Sequence, residues 1–377
     1  MNYLKDAEIE RKSVFLRVDW NVPLKDGEIV DDKRIRATIP TIEYLQSKNC
    51  KIIIGTHLGR PDGEIVHALS TRKLAQKYSE LEKTKVIATD YVIESPVKLQ
   101  VEKMRPKDIL VLGNLRWHAE EETNNPAFAH ILASYADVYV DDAFAVCHRS
   151  HASVEEITKF LLGFGGFLLE KEITSLKILT ESPRQPFVLV LGGAKIQDKI
   201  GVIKKLIPEV SKILIGGAIA NTFRYFQGMP VSHSLYEPKT EYLIGEIVNL
   251  AGDKLVIPTD DKRKDLGGGN FAILDIGPET IENYKKIIAE AKTIFWNGNM
   301  GYSEEAEFEL GTQEIAKAIE ENPMTKIVAG GDTVGFLTSH QMENGYSFIS
   351  TGGSATLEFL AGVELPGLKV LGYYDSK

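Results

Sequence analysis

Short apolar runs rich in β-branched residues recur along the chain, each followed by a longer stretch with helical periodicity. That alternation constrains the fold more than any other feature. The runs occupy residues 14–19, 51–55, 85–89, 109–113 and 138–142, then 187–191, 212–215, 255–257, 273–276, 293–296, 327–329 and 348–350. A strand that is apolar on both faces has to be covered on both faces, which is the condition of a parallel strand in a βαβ unit. About a dozen such strands exceed one comfortable open sheet, and 377 residues suffice for two domains with separate cores. The expected class is α/β, with two doubly wound parallel-sheet (Rossmann-like) domains. The boundary is placed near residues 163–166, because residues 167–179 have helical spacing and stop before Ser182-Pro183.

In open α/β sheets, ligands bind beyond the carboxyl ends of the strands, so the residues just after each run carry the functional information. In the first half they are cationic or polar: Arg17-Val-Asp-Trp-Asn21, Thr56-His-Leu-Gly-Arg60, Asn114-Leu-Arg-Trp-His118 and Asp142-Ala-Phe-Ala-Val-Cys-His-Arg-Ser-His151. Guanidinium forks match carboxylate and phosphate oxygens bidentately. Arginines at successive strand ends, joined by Arg34, therefore describe a pocket for a small polyanion. In the second half the strand ends are glycine pairs: Leu191-Gly-Gly-Ala-Lys195, Ile215-Gly-Gly-Ala218, Trp296-Asn-Gly-Asn-Met-Gly301, Ala329-Gly-Gly-Asp-Thr333 and Ser350-Thr-Gly-Gly-Ser354. Glycine lets backbone approach a phosphate closely, and amides opening a helix favour negative charge. Together these loops describe a nucleotide site. It is neither a Walker A loop nor a dinucleotide fingerprint, since neither spacing occurs.

The formal net charge of −9 argues against nucleic acid or an anionic membrane as partner. Cys50 and Cys147 match no metal-ligand spacing and read as buried free thiols of a reducing compartment. The N-terminal residues lack the apolar core of a signal peptide, and residues 160–169 are too short to span a bilayer, so the cytoplasm is the expected location. His118, His130, His233 and His340 read as surface or packing residues, Glu120-Glu121-Glu122 as a solvated acidic face, and Trp117 and Trp296 as packing.

The runs Arg17-Val-Asp-Trp-Asn-Val-Pro23, Thr56-His-Leu-Gly-Arg-Pro61, Asp142-Ala-Phe with His148-Arg-Ser-His151, Leu191-Gly-Gly-Ala-Lys195, Gly330-Gly-Asp-Thr333 and Ser350-Thr-Gly-Gly353, taken in order, resemble those of phosphoglycerate kinases. The resemblance implies two α/β domains facing each other across a cleft, joined by a helix. In residue numbers these are a substrate domain 1–165, a joining helix 166–181 and a nucleotide domain 182–365, with 366–377 returning to the first domain. It further implies reversible, Mg²⁺-dependent phosphoryl transfer between 1,3-bisphosphoglycerate and ADP by a monomer, giving 3-phosphoglycerate and ATP. On that resemblance Asp19 and Asn21 contact the hydroxyl and carboxyl end of the substrate, and Arg34, His57, Arg60, Arg116 and Arg149 bind its phosphate and neighbouring oxygens. Lys195 follows the transferred group, which Arg34 flanks from the other side. Lys199, Gly193, Gly330, Gly331 and Thr333 line the nucleotide phosphates, Glu304 takes the ribose, Asp332 holds Mg²⁺, and the amides of Gly352 and Gly353 stabilise charge. Asn299, Ala329, Ser354, Ala218 and Gly113 depart from the family pattern and leave ADP or GDP open as the nucleotide. A rival reading is a non-catalytic sensor that closes on a phosphometabolite.

Overall fold

A computed structural model describes residues 1–375. The chain divides into two compact units, Met1–Ile173 with the chain from Glu364 on, and Thr174–Val363.

The first unit is built on six parallel strands: β1 (Ser13–Val18), β2 (Lys51–Gly55), β3 (Val86–Ala88), β4 (Ile109–Val111), β5 (Val138–Asp142) and β6 (Gly163–Gly165), in the order β3-β4-β2-β1-β5-β6. Ile52, Ile53 and Ile54 are all fully buried, because helices cover both faces, and each burial stabilises by about 1.5–3 kcal/mol relative to exposure. On one face Val14, Leu16, Val18, Ile52 and Ile54 join Ile42, Leu45, Leu74 and Tyr78. The order in which strands are added reverses at β1, which lies between β2 and β5, so Arg17 stands beside Gly55 on one side and Asp141 on the other. The short helix Pro366–Val370 belongs to this unit, where Gly367 donates its N–H to Cys147 O at 2.9 Å. Cys50 and Cys147 are buried free thiols, as expected.

The second unit repeats the plan with β7 (Phe187–Leu191), β8 (Lys212–Ile215), β9 (Leu255–Val256), β10 (Thr293–Asn297), β11 (Thr325–Ala329) and β12 (Phe348–Ile349), in the order β9-β8-β7-β10-β11-β12. Its strand order reverses between β7 and β10, whose registered ends are Leu191 and Asn297.

Two expectations need correction. Residues 273–276 were expected in the parallel sheet; instead Asn270–Ile276 pairs antiparallel with Asp261–Gly267 as a separate hairpin. The partner segment is mostly charged and exposed, and Gly267, Gly268 and Gly269 at φ +79°, +61° and +82° make the turn that folds it back. Residues 163–165, read only as a boundary, form β6. Two of the three residues of Gly-Phe-Gly are glycines, which are depleted in strands, and the segment's place comes from pairing with Tyr139, Val140 and Asp141.

The helix Phe167–Glu181 starts directly after β6. Its first amides find acceptors outside the helix: Phe167 N–H donates to Thr41 Oγ1 at 3.1 Å, and Leu168 and Leu169 N–H donate to Asp142 Oδ1 at 2.8 and 3.2 Å. A Cβ on Gly166 would come within 2.3 Å of that carboxylate oxygen. Gly166→Ala is therefore expected to destabilise the protein by about 1–3 kcal/mol through overpacking. Urea unfolding midpoints measure this, and an unchanged midpoint would show that the helix start tolerates displacement. Among the described residues, no helix is long and apolar enough to cross a membrane.

Candidate active site

Where the first sheet reverses, the carboxyl ends of β1, β2, β4 and β5 bring polar residues together. Asp19, just after β1, is mostly buried; its Oδ2 accepts from Arg34 on the short helix Lys33–Ala37, and its Oδ1 accepts the Asn21 N–H at 3.3 Å. Asn21 Oδ1 accepts the Gly59 N–H at 2.9 Å, tying the loop after β1 to the loop after β2. Arg116 is buried, donates from Nη1 to Gly59 O at 3.0 Å, and has Nε 3.3 Å from Glu122 Oε1. Arg149 is half-buried, with Nε 3.2 Å from His148 Nε2, and Arg60 is exposed.

The electrostatics of the cluster show that these side chains share one region. Burial, then Arg17, Arg116 and Arg34, push His57 well below the usual imidazole range. Burial and the neighbouring Arg149 lower His148 to about 4, and burial with Arg17 and Arg116 lowers His151 to about 3. At neutral pH these imidazoles are uncharged, so the arginines carry the positive charge of the region.

Two residues differ from expectation. Arg17 does not reach out with the other arginines; it is fully buried beneath them, donating from Nε to Ser153 Oγ at 2.8 Å and from Nη1 to Val18 O. Glu121 is not part of a solvated face. It is fully buried, accepts Ser153 N–H at 2.9 Å and Ser153 Oγ–H at 2.6 Å, and stands 4.0 Å from Arg17 Nη2 and 3.8 Å from His151 Nδ1. No local signal marks Glu121 among three consecutive glutamates, because its partner Ser153 lies 32 positions on. Gly113 has a steric cause: a Cβ there would come within 2.5 Å of Asp90 O, so no longer side chain fits.

In the second unit the glycine loops interlock where β7 and β10 part. Gly193, at φ +82°, donates its N–H to Asn299 O at 2.9 Å, and Gly298 N–H donates to Thr333 Oγ1 at 2.8 Å. Lys199 is buried and donates from Nζ to Asn297 Oδ1 at 2.6 Å, while Asn297 Nδ2 donates to Ala329 O at 2.8 Å. Burial lowers the Lys199 ammonium to about 8, with Asp198 and Asp332 partly opposing it. Asn297, the partner of Lys199, escaped the sequence reading because only the fold shows that β10 ends beside the Lys199 loop. Gly330, at φ +104°, opens the helix Gly331–Ser339, whose first turn exposes Gly331 and Asp332 and buries Thr333. Lys195 and Glu304 are exposed. Gly352 is buried with its N–H 3.2 Å from Ser350 Oγ, and Gly353, at φ +56°, precedes the helix Ser354–Leu360. Asn299 donates from Nδ2 to Ser303 Oγ at 2.6 Å.

A cation-lined reversal in one sheet and glycine loops at the reversal of another define a nucleotide-handling α/β protein. The family model described as phosphoglycerate kinase matches residues 4–363. The phosphoglycerate kinase of Coprothermobacter proteolyticus is 40% identical over 385 residues, covering 98% of this chain and 98% of that protein. That of Dictyoglomus turgidum is 42% identical over 392 residues, covering 98% and 97%. The crystal structure of phosphoglycerate kinase from Pyrococcus horikoshii superposes with a TM-score of 0.87 at 32% identity, covering 100% of both chains. The chain belongs to the phosphoglycerate kinase family, and its activity is that family's phosphotransfer.

Proposed function

We propose that the first unit holds 3-phosphoglycerate or 1,3-bisphosphoglycerate and that the second holds the magnesium nucleotide, ATP or ADP. The observation that carries this reading is the gathering of Arg34, Arg116 and Arg149 around Asp19 and the neutral imidazoles where the first sheet reverses. In this reading Asp19 and Asn21 take the hydroxyl and carboxyl end of the substrate, and Arg34, His57, Arg60, Arg116 and Arg149 its phosphate. Asn21 supports the assignment, since its Oδ1 is already engaged by Gly59 and its amide group remains to donate. Lys195 and Arg34 flank the transferred phosphoryl group. Lys199, Thr333 and the Gly193, Gly330 and Gly331 backbone line the nucleotide phosphates, Glu304 meets the ribose, and Gly352 and Gly353 face developing charge.

An acyl phosphate needs little covalent help; it needs alignment, charge stabilisation and exclusion of water. Transfer requires both substrates together, so hinged closure of the loaded units is part of the proposal. Asp332 is the magnesium ligand in this reading. One exposed carboxylate beside phosphate-binding amides fits a cation that takes one or two protein oxygens and the rest from phosphates and water. Among the described residues no cluster of three metal-ligating side chains competes with it. Bound there, magnesium would neutralise phosphate charge. A cytoplasmic monomer completes the proposal.

Asp332→Ala is expected to weaken magnesium-nucleotide binding and leave 3-phosphoglycerate binding intact. Calorimetry with excess magnesium checks this, and unchanged nucleotide affinity would remove Asp332 from the metal site. The reading as a whole is tested by mixing the protein with 3-phosphoglycerate, ATP and magnesium and coupling the acyl phosphate formed to NADH oxidation. Turnover needing all three components is the expected result. A folded protein that binds ligands without turnover, with GTP also tried, would favour the closing sensor.

A further inference from the structure

Beneath the first unit's cation cluster runs a buried polar chain of Glu121, Ser153 and Arg17, which the proposed substrate contacts do not use and which ends on His57, which they do. We infer that Glu121 is a positioning residue, acting through Ser153 and Arg17 to fix His57 as a neutral imidazole protonated on Nε2, so that His57 meets the substrate as a hydrogen-bond donor and not as a cation. The inference rests on the reading of this region as the substrate pocket.

The hydrogen-bond inventory leaves one ordering of protons. Arg17 Nε can only donate, so Ser153 Oγ accepts from it at 2.8 Å, and the single hydroxyl proton goes to Glu121 Oε1 at 2.6 Å. Glu121 Oε2 takes the Ser153 N–H at 2.9 Å, so both carboxylate oxygens are engaged in an interior the solvent does not reach. The guanidinium is held in turn. Nη1 donates to Val18 O, and Nη2 lies 3.3 Å from His57 Nδ1. A guanidinium has no acceptor, so the His57 nitrogen facing it presents its lone pair, and the proton of the neutral ring sits on Nε2.

The surrounding charges oppose a second proton. Burial lowers the basicity of His57 most, and Arg17 on β1, Arg116 after β4 and Arg34 on the helix Lys33–Ala37 lower it further. The carboxylate facing His57, that of Asp19, has Oδ1 at 3.8 Å from Nδ1, beyond hydrogen-bond reach, and its other oxygen is taken by Arg34. Glu121 supports this arrangement, together with Asp141, which is buried beside Arg17 on β5. A buried guanidinium without a counter-charge is strongly unfavourable, and Glu121 is the carboxylate 4.0 Å from Arg17 Nη2. A neutral donor also keeps substrate affinity independent of pH where an ordinary histidine titrates.

The test is a two-dimensional ¹⁵N–¹H spectrum of the full chain labelled with ¹⁵N-histidine, recorded from pH 5.5 to 8, with His57 assigned by its loss in His57→Gln. A neutral ring with the proton on Nε2 throughout is expected. A proton on Nδ1, or a ring that charges within that range, would overturn the proposal. In Glu121→Gln the KM for 3-phosphoglycerate should rise about tenfold, equivalent to about 1.4 kcal/mol. The KM for ATP should hold within about twofold, as expected for an effect confined to one site, and the His57 resonances should show both tautomers. An unchanged KM with an unchanged His57 spectrum would overturn it as well. Should Glu121→Gln not fold, Ser153→Ala removes only the hydroxyl bridge and is read the same way, while the wild-type titration decides the tautomer in any case. Adding 3-phosphoglycerate separates the two levels of the argument: His57 resonances that ignore it would sink the pocket reading and leave the tautomer result standing.

Discussion

Arg34→Ala is expected to lower kcat by about 10²–10⁴-fold while the protein stays folded, by analogy with other arginines that stabilise phosphoryl transfer. A cation about 4 Å from the developing charge, at an effective dielectric near 20, is worth roughly 4 kcal/mol, or nearly a thousandfold. Folding should survive because Arg34 lies on a five-residue helix and its side chain is 31% exposed. Its partner Asp19 would lose its counter-ion, so the substrate KM is expected to rise too. Arg34→Lys restores charge without the bidentate fork and should recover only part of the rate. Steady-state kinetics with both substrates saturating check this, and a kcat within about threefold of wild type would remove Arg34 from the chemistry.

Nucleotide affinity is expected to fall as pH rises through about 8, the value to which burial lowers the Lys199 ammonium. Above that pH the unliganded lysine is neutral, and binding a phosphate requires it to be charged again, so Kd should rise about tenfold per pH unit. Lys199→Ala removes the charge-assisted hydrogen bond outright and should raise Kd by about 10–100-fold, corresponding to roughly 1.5–3 kcal/mol. The linkage has a second consequence with a fixed sign. Because the folded-state value lies below the unfolded one, the unfolded chain binds the extra proton between pH 8 and about 10.4, and this group's contribution to stability rises with pH across that window. Titration calorimetry from pH 6.5 to 9.5 checks the binding claim. An affinity that is flat with pH in wild type would mean that Lys199 does not meet the phosphates.

Strand positions were legible because a β-branched run is a local signal: 51–55, 138–142, 187–191 and 212–215 coincide with β2, β5, β7 and β8. The glycine loops were legible for the same reason, since the positive φ at Gly193, Gly330 and Gly353 is a backbone state that other residues rarely adopt. β6 was not legible, because Gly163–Gly165 is a strand only by virtue of its neighbour. Nor was the hairpin Asp261–Gly267 with Asn270–Ile276, since an apolar run does not state the direction of its partner.

Within the candidate site the division is sharper. The sequence by itself determined the fold class, the family and which residue types stand at the strand ends, since all of these follow from local periodicity and ordered motifs. Only the tertiary structure decided that Arg17 lies beneath the cluster, that Glu121 is its buried counter-charge through Ser153, and that Asn297 receives Lys199. An arginine or a glutamate carries the same charge in water and in a core. Which of the two surrounds it depends on pairing between residues tens of positions apart, and those distances are set by the sheet, not by the neighbours in sequence.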